Sequence, residues 1–170
     1  MKKLILALTV VCFAVGVAAA QKSFYSKDYK VGFKYPSTAK ISTKADDILV
    51  LSDSLKGIAN LSFPHAVAGV NSAEATIAAG AITKEACTAL SANDQPKKKK
   101  FGTITFDKTE ETEGGMENVQ PQEFYRTYHD GTCYEIRLSV GQTKYPKRPI
   151  NDTPIFTQMY AIMTSMYFGK

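Results

Sequence analysis

The three cysteines are the side chains of this sequence best suited to covalent chemistry. Cys12 lies in an apolar segment at the start of the chain, whereas Cys87 and Cys133 lie in the body of it. Two thiols in one small domain are oxidised to a disulfide when the protein is exported from the cytosol. We therefore expect an intramolecular Cys87–Cys133 bond, with two buried free thiols or a bond between chains as the alternatives.

The two histidines give little basis for a reactive site. His65 and His129 belong to no H-x-x-x-H or H-E-x-x-H pattern, and a metal would need further ligands from loops. His129 precedes Cys133 closely, but on a hairpin this pair straddles the turn. The sequence also has no G-x-S-x-G elbow, Walker loop or glycine-rich dinucleotide turn. We predict no catalytic residue, metal or cofactor, and keep as the alternative an enzyme, of hydrolase type, whose site is assembled from distant residues.

The clearest element signal is a hairpin around Asp130-Gly131, a pair typical of a type I′ turn. Pairing His129 with Thr132 across this turn places Tyr125 opposite Ile136 on an inward face. The outward face then carries aromatic and arginine side chains, which are enriched at binding hot spots. Nearby in sequence is the densest run of charge, four consecutive lysines. The predicted partner surface comprises Phe124, Arg126, Tyr128, Arg137, Lys97, Lys98, Lys99 and Lys100.

The other strands are predicted from apolar residues that alternate with polar or small ones. Such segments lie at 29–35, 58–63 and 101–106, with a short buried-looking run at 48–51. Lysines that precede an edge strand also discourage aggregation, so a solvated loop is the alternative interpretation of the lysine run. The acidic segment 110–120 has no periodicity, and we expect a mobile loop there.

Two helices complete the expected fold. Asn71 and Glu74 form a capping box, and alanines at spacings of three and four then predict an amphipathic helix over 72–92. A second helix begins at Thr153-Pro154 and carries a wide apolar stripe. We expect an α+β domain: a mostly antiparallel sheet packed with a long middle helix and a C-terminal helix, in an α/β/α-type sandwich.

In this arrangement the predicted disulfide joins the middle helix to the hairpin. Closing a loop of about 47 residues would stabilise the fold by roughly 4 kcal/mol in the chain-entropy estimate. In the hairpin register Cys133 faces away from Ile136, so the bond requires the helix to cover the outward face. If that face is covered, Phe124 and Tyr128 belong to the core, and the lysine run becomes the better partner surface.

The first 20 residues have the pattern of a cleaved signal peptide. Two lysines precede an apolar run over 4–17, and three alanines end at a predicted cleavage site between Ala20 and Gln21. The run is shorter than the roughly 20 apolar residues that span a bilayer. A lipid anchor on Cys12 and an uncleaved membrane anchor are the alternatives. We predict a periplasmic or secreted protein that is not inserted in the membrane after cleavage.

The expected mature chain, residues 21–170, fits one domain of common size. Lys2 and Lys3 leave with the signal peptide, so 21 basic residues become 19 against 16 acidic ones, a formal charge of +3. This excess is too small to indicate a nucleic-acid partner. We therefore predict a single globular domain that binds no nucleic acid.

Both ends of this domain resemble PsbP-like proteins. The segment 28–36, which ends in Tyr35-Pro36, is similar to the opening strand of that family, and 156–168 resembles its terminal helix with a Ser-x-x-Phe ending. The resemblance implies an α+β domain that binds and stabilises a larger assembly or a protein partner, and it carries over no ligand for a metal or cofactor. We therefore predict a non-enzymatic binding or assembly-accessory protein with an unidentified protein partner.

Overall fold

The computed structural model describes most of the chain after residue 19. The predicted signal peptide therefore lies outside the described residues, except for Ala20. Within the described part the chain forms ten strands and two helices. The described residues are 20–44, 48, 52–65, 67–89, 96–115, 118–143 and 149–169.

The strands belong to two antiparallel sheets. A three-stranded sheet has the order β1-β2-β10, and a seven-stranded sheet has the order β3-β4-β5-β9-β8-β7-β6. Their bounds are β1 Gln21–Ser26, β2 Val31–Pro36, β3 Lys40–Ser42, β4 Lys56–Ser62, β5 Val70–Gly80, β6 Lys97–Phe101, β7 Ile104–Gly114, β8 Asn118–His129, β9 Thr132–Thr143 and β10 Tyr167–Phe168. The helices are α1 Lys84–Ala89 and α2 Thr153–Ser165.

The main hydrophobic core lies on one face of the large sheet, which we call the inner face. Alternation along β9 directs Tyr134, Ile136 and Leu138 into this core, where each is 3% exposed or less. Helix α2 and the three-stranded sheet supply the opposite wall of the core, through residues such as Met159 and Phe33. The structure thus confirms the predicted C-terminal helix, the α+β class and the mostly antiparallel pairing.

Helix α1 packs on the opposite, outer face of the large sheet. Its only buried residue, Cys87, joins a small apolar cluster with Leu55, Ala78 and Cys133. Thr83 starts the helix, because its hydroxyl accepts a 3.1 Å hydrogen bond from the amide of Ala86. A helix therefore does cover the Cys133 face, as the predicted disulfide required.

The prediction of a long middle helix over 72–92 is wrong. Residues 70–80 form strand β5, and only the six residues of α1 are helical. The alanines satisfy a period of two as well as a period of four, because Ala73, Ala75 and Ala79 all face the core. Pairing with β4 on one side and β9 on the other outweighs the helix propensity of alanine.

The prediction of a loop over 110–120 is also wrong, since β7 and β8 pair through this segment up to Gly114 and Val119. Exposed glutamates on an extended hairpin lack the apolar alternation that marks a half-buried strand. The predicted strand over 101–106 is two strands joined by a turn at Gly102, which has a φ of 56°. Of the predicted run at 48–51, only Ile48 is among the described residues.

The predicted hairpin register is confirmed. His129 pairs with Thr132, and Tyr125 pairs with Ile136. The turn residues Asp130 and Gly131 have φ values of 47° and 77°, the left-handed conformation that a type I′ turn requires at both central positions. The turn residues were therefore sufficient to predict this register from the sequence.

Candidate binding groove

A groove of about 190 Å³ opens on the outer face of the large sheet. Helix α1 forms one wall, with Lys84 and Thr88, and strands β6 to β8 contribute Lys98, Arg126 and Tyr128. We call it the α1 groove. Its volume is below the roughly 300 Å³ at which pockets begin to enclose drug-sized ligands. The space suits one or two side chains of a partner better than a buried small substrate.

A ladder of alternating charges crosses the groove and continues into the sheet. Lys98, Asp107, Arg126 and Glu135 are successive cross-strand neighbours on β6, β7, β8 and β9. Lys98 pairs with Asp107 at 2.5 Å, and Arg126 pairs with Glu135 at 2.7 Å. The side chain of Lys98 is 70% exposed, whereas that of Glu135 is 6% exposed. Opposite charges on facing strands stabilise the sheet and fix the position of each side chain in the groove.

The structure brings together three of the predicted partner-surface residues and buries two others. Lys98, Arg126 and Tyr128 line the α1 groove. Phe124 and Arg137 lie on the same outer face but are only 3% and 7% exposed. Phe124 is therefore buried, as the covered-face alternative expected, whereas Tyr128, which it also assigned to the core, is only partly buried against the Cys87–Cys133 cluster. Arg137, which that alternative did not name, is buried as well and is not part of an open surface.

The lysine run is an edge strand rather than a loop. All four lysines of β6 are exposed, and they alternate between the two faces of the sheet. Lys98 and Lys100 share the outer face with Asp107 and Thr105, which are their partners on β7. Lys99 lies on the inner side, with its ammonium 5.9 Å from the ring centroid of Phe101.

A disulfide between Cys87 and Cys133 holds α1 against the sheet, as predicted. Both cysteines are buried, at 3% and 0% exposure. An isolated helix of six residues is too short to be stable in water, so α1 depends on this bond and on the apolar cluster beneath it. Because Cys133 is oxidised, it is not a thiolate nucleophile for His129 to activate.

A polar network that the sequence did not reveal lies on the inner side, between α2 and the edge of the large sheet. The carboxylate of Glu123 accepts hydrogen bonds from the Lys108 ammonium at 2.6 Å, the Tyr125 hydroxyl at 2.9 Å and the Tyr160 hydroxyl at 2.7 Å. Lys108 also pairs with Glu110 at 2.6 Å. We call these five residues the Glu123 network.

The pKa shifts within the Glu123 network favour the protonated tyrosines and lysine. Burial, reinforced by Glu123, raises the pKa of Tyr160 to about 12 and raises that of Tyr125 further. Burial alone would lower the pKa of Lys108, but hydrogen bonds and charges from Glu110 and Glu123 outweigh it and raise that pKa. Neither tyrosine has a pKa suited to donating or accepting a proton near neutral pH. The network therefore has a structural role, since it joins α2 to the large sheet.

The two histidines lie apart. The ring nitrogens of His65 are 3.2 and 3.1 Å from the carbonyl oxygens of Phe63 and Val70, whereas His129 stacks on Phe168 with ring centroids 4.3 Å apart. In the part of the chain that the structure describes, no three His, Cys, Asp or Glu side chains converge as metal ligands. Nor does any helix of that part have the length and apolarity to cross a membrane.

The predicted cleavage site lies at the start of the residues that the structure describes. Gln21 is the first residue of β1 and pairs with Pro36, and the carbonyl of Ala20 accepts a 2.8 Å hydrogen bond from the amide of Ser37. Cleavage between Ala20 and Gln21 stays a prediction.

No family model and no curated protein sequence matches this chain. Among solved structures, a protein from Bacteroides thetaiotaomicron VPI-5482 matches with a TM-score of 0.60 and 15% sequence identity over 88% of this chain. The match covers 48% of that protein, so this chain spans about half its length. At this level of identity the likeness shows a shared fold and nothing about activity.

Two further structures resemble the chain over most of their own length. LpqN of Mycobacterium tuberculosis, a protein involved in cell envelope biogenesis, matches with a TM-score of 0.50 and 7% identity over 89% of this chain and 91% of LpqN. PsbP (CyanoP) from Synechocystis sp. PCC 6803 matches with a TM-score of 0.41 and 9% identity, over 92% and 96% of the two chains. The PsbP-like proteins that the two ends of the sequence resemble are therefore among the structural matches, although a TM-score this low supports no argument about function.

Proposed function

We propose that this protein is a non-enzymatic binding or accessory protein that acts outside the cytosol, and that its α1 groove binds an acidic segment of a protein partner. The observation that carries this proposal is the convergence of Lys84, Lys98, Arg126 and Tyr128 around one groove on a disulfide-braced face. Arginine and tyrosine are residue types that contribute strongly to protein interfaces.

The charges of the groove favour an anionic ligand. Three of its side chains are basic, and Asp107 is the one acidic residue among those that line it. Asp107 is already paired with Lys98, and Arg126 with Glu135, so Lys84 carries the remaining positive charge. In the described part of the chain Lys84 belongs to no ion pair. An aspartate or glutamate side chain of the partner would pair with Lys84 while an adjacent apolar group contacts Tyr128.

Two observations support a location outside the cytosol. A buried disulfide is typical of proteins that fold in an oxidising compartment. The structural likeness to LpqN is consistent with a role at the cell envelope, because that protein is involved in cell envelope biogenesis. Together with the predicted signal peptide, these observations favour a periplasmic or secreted protein.

The hydrolase-type alternative has less support. Cys133 is held in the disulfide, and the tyrosines of the Glu123 network have raised pKa values that disfavour proton transfer at neutral pH. The volume of the α1 groove also favours contact with a protein side chain over enclosure of a substrate.

A screen of acidic peptides against the folded, oxidised domain tests the proposal. We expect the best peptides to shift the amide NMR signals of α1 and of the groove residues on β8, with an affinity that decreases as salt increases. Lys84→Glu should weaken this binding by about tenfold, the effect of roughly 1.4 kcal/mol. Lys27→Glu makes the same charge change in an exposed turn between β1 and β2, outside the groove, and should bind as the wild type does.

Two results would contradict the proposal. One is that no acidic peptide perturbs the groove signals. The other is that Lys27→Glu weakens binding as much as Lys84→Glu, which would indicate a nonspecific response to net charge. Circular dichroism of each variant would establish that it is folded before binding is compared.

A further inference from the structure

The edge of the large sheet has the shape of a step. Strand β7 has 11 residues, and β6 pairs with five of them, Ile104 to Lys108. The remaining six, Thr109 to Gly114, pair with β8 on one side. Within the described ranges no strand pairs with their other side, or with the edge of β6 that points away from β7. The step therefore presents two adjacent lengths of unpaired backbone, one from β6 and one from β7.

These two lengths carry opposite charges. Strand β6 has four exposed lysines in five residues. The unpaired half of β7 has three exposed glutamates, Glu110, Glu111 and Glu113. The two segments are also similar in length, because β6 has five residues and the unpaired half of β7 has six. The edge of this sheet is thus complementary to itself in charge and in shape.

We propose that two copies of the chain pair edge to edge, so that β6 of each copy lies beside the unpaired half of β7 of the other. A twofold axis perpendicular to the sheet brings the two steps together in this way and forms a closed, symmetric dimer. Each β6 then runs parallel to the β7 of the other copy, and both unpaired lengths of backbone gain hydrogen-bonding partners.

The faces of the sheet match in this arrangement. Rotation about an axis perpendicular to the sheet leaves the outer face of each copy on the same side. Lys98 and Lys100 are on the outer face with Asp107, and alternation along β7 places Glu111 and Glu113 there as well. The outward lysines of one copy thus face the outward glutamates of the other.

The distribution of charge favours this dimer over direct pairing of two β6 strands and over an edge that stays unpaired. Direct pairing of β6 with β6 of a second copy would place lysines opposite lysines, which is unfavourable. Lysines on an edge strand also protect a monomer from aggregation, and that function alone would explain β6. It does not explain why an acidic strand edge of matching length lies directly beside the lysines.

A charge exchange tests the dimer in the full oxidised domain. The first variant is Lys100→Glu and the second is Glu113→Lys; both residues lie on the outer face of the sheet, and neither lines the α1 groove. Each variant alone would pair like charges at both contacts, whereas a mixture of the two restores opposite charges. In sedimentation velocity over a concentration series we expect a wild-type dimer, a dissociation constant raised about tenfold or more in each variant, and a heterodimer in the equimolar mixture.

Two controls make the result specific. Lys27→Glu changes the net charge as the first variant does but lies in the exposed turn between β1 and β2, and should leave the dimer intact. Lys84→Glu, the groove variant, should also dimerise normally, so that failure of the dimer and failure of the proposed groove function are distinguishable.

The dimer would be overturned if the wild-type protein sediments as a monomer at every concentration, or if the variants dimerise as well as the wild type. It would be overturned equally if the folded variants fail to associate when mixed. Should a variant not fold, the wild-type dimer in increasing salt gives the second measurement: the ion pairs proposed here predict that it weakens, and a dimer insensitive to salt excludes them.

Discussion

The hydroxyl of Tyr160 on α2 donates a 2.7 Å hydrogen bond to Glu123 on β8. This contact ties the C-terminal helix to the large sheet at a site where Phe101 also packs against the Tyr160 ring, with centroids 5.5 Å apart. The hydroxyl is therefore one of the few polar groups that orient α2 on an otherwise apolar surface.

Tyr160→Phe should lower the free energy of unfolding by about 1–2 kcal/mol, because it removes a hydrogen bond to a charged acceptor and keeps the ring. Tyr167→Phe is the matched control, since Tyr167 is 49% exposed, and should change stability by less than about 0.5 kcal/mol. Guanidinium unfolding of the oxidised proteins measures both. Equal stability of the two variants would show that the Glu123 contact has no net effect.

The Glu123 network predicts a loss of stability at alkaline pH. The pKa of Tyr160 is raised to about 12, and those of Tyr125 and Lys108 are raised in the same direction, so the folded protein keeps these protons to a higher pH than the unfolded chain does. This stabilisation is fully present below the unfolded values of about 10 and is lost as the pH rises through the folded values. The free energy of unfolding should therefore fall as the pH is raised from about 8 to 11.5. It should fall less steeply for Tyr160→Phe, which lacks one of the three titrating groups. An equally steep fall in the variant would show that Tyr160 does not contribute to the loss of stability at alkaline pH.

Loss of the disulfide should destabilise the whole domain and α1 most of all. For Cys87→Ala with Cys133→Ala, the chain-entropy estimate for a separation of 46 residues gives a cost of up to about 4 kcal/mol. Hydrogen exchange should show the amides of α1 losing protection before those of β8 and β9. If α1 stays as protected as the central strands, the bond does not anchor this helix.

Gly80 is expected to tolerate no side chain. A Cβ at this position would overlap the carbonyl oxygen of Ser54, whose backbone cannot move aside as a flexible side chain does. Gly80→Ala should therefore cost about 1–3 kcal/mol, whereas Gly114→Ala, with no atom within 4 Å of its Cβ, should be close to neutral. Thermal unfolding of the two variants tests this difference. Similar melting temperatures would show that the segment around Ser54 shifts without cost.

The elements that the sequence predicts well are those whose signals are local. The turn at Asp130-Gly131 determines the hairpin register through its own backbone preferences, and the apolar stripe of α2 has a single period. The disulfide was predictable because two cysteines remain after the predicted signal peptide. Strand β5 was not, because Ala75 and Ala79 suit both a helix and a strand, and the choice depends on β4 and β9, which are distant in sequence.

The candidate groove was only partly predictable for the same reason. Lys98, Arg126 and Tyr128 stand out as residue types that bind partners, but their convergence depends on how α1 crosses the sheet. Lys84 carries no local signal at all, since the predicted middle helix placed it within a long amphipathic surface. The Glu123 network was hidden by the predicted loop, because Lys108 and Glu110 share a face only when β7 is extended.

The three-stranded sheet has a consequence for the order of folding. Strand β2 lies between β1, which is its neighbour in sequence, and β10, which begins at Tyr167 and pairs with Gly32. Hydrogen bonds between Lys34 and Ser165 join the same distant segments. Contacts between such remote positions form slowly, whereas β7, β8 and β9 follow one another through short turns. The meander of β7 to β9 can therefore assemble first, and the layer that covers the core closes only when α2 and β10 reach β2.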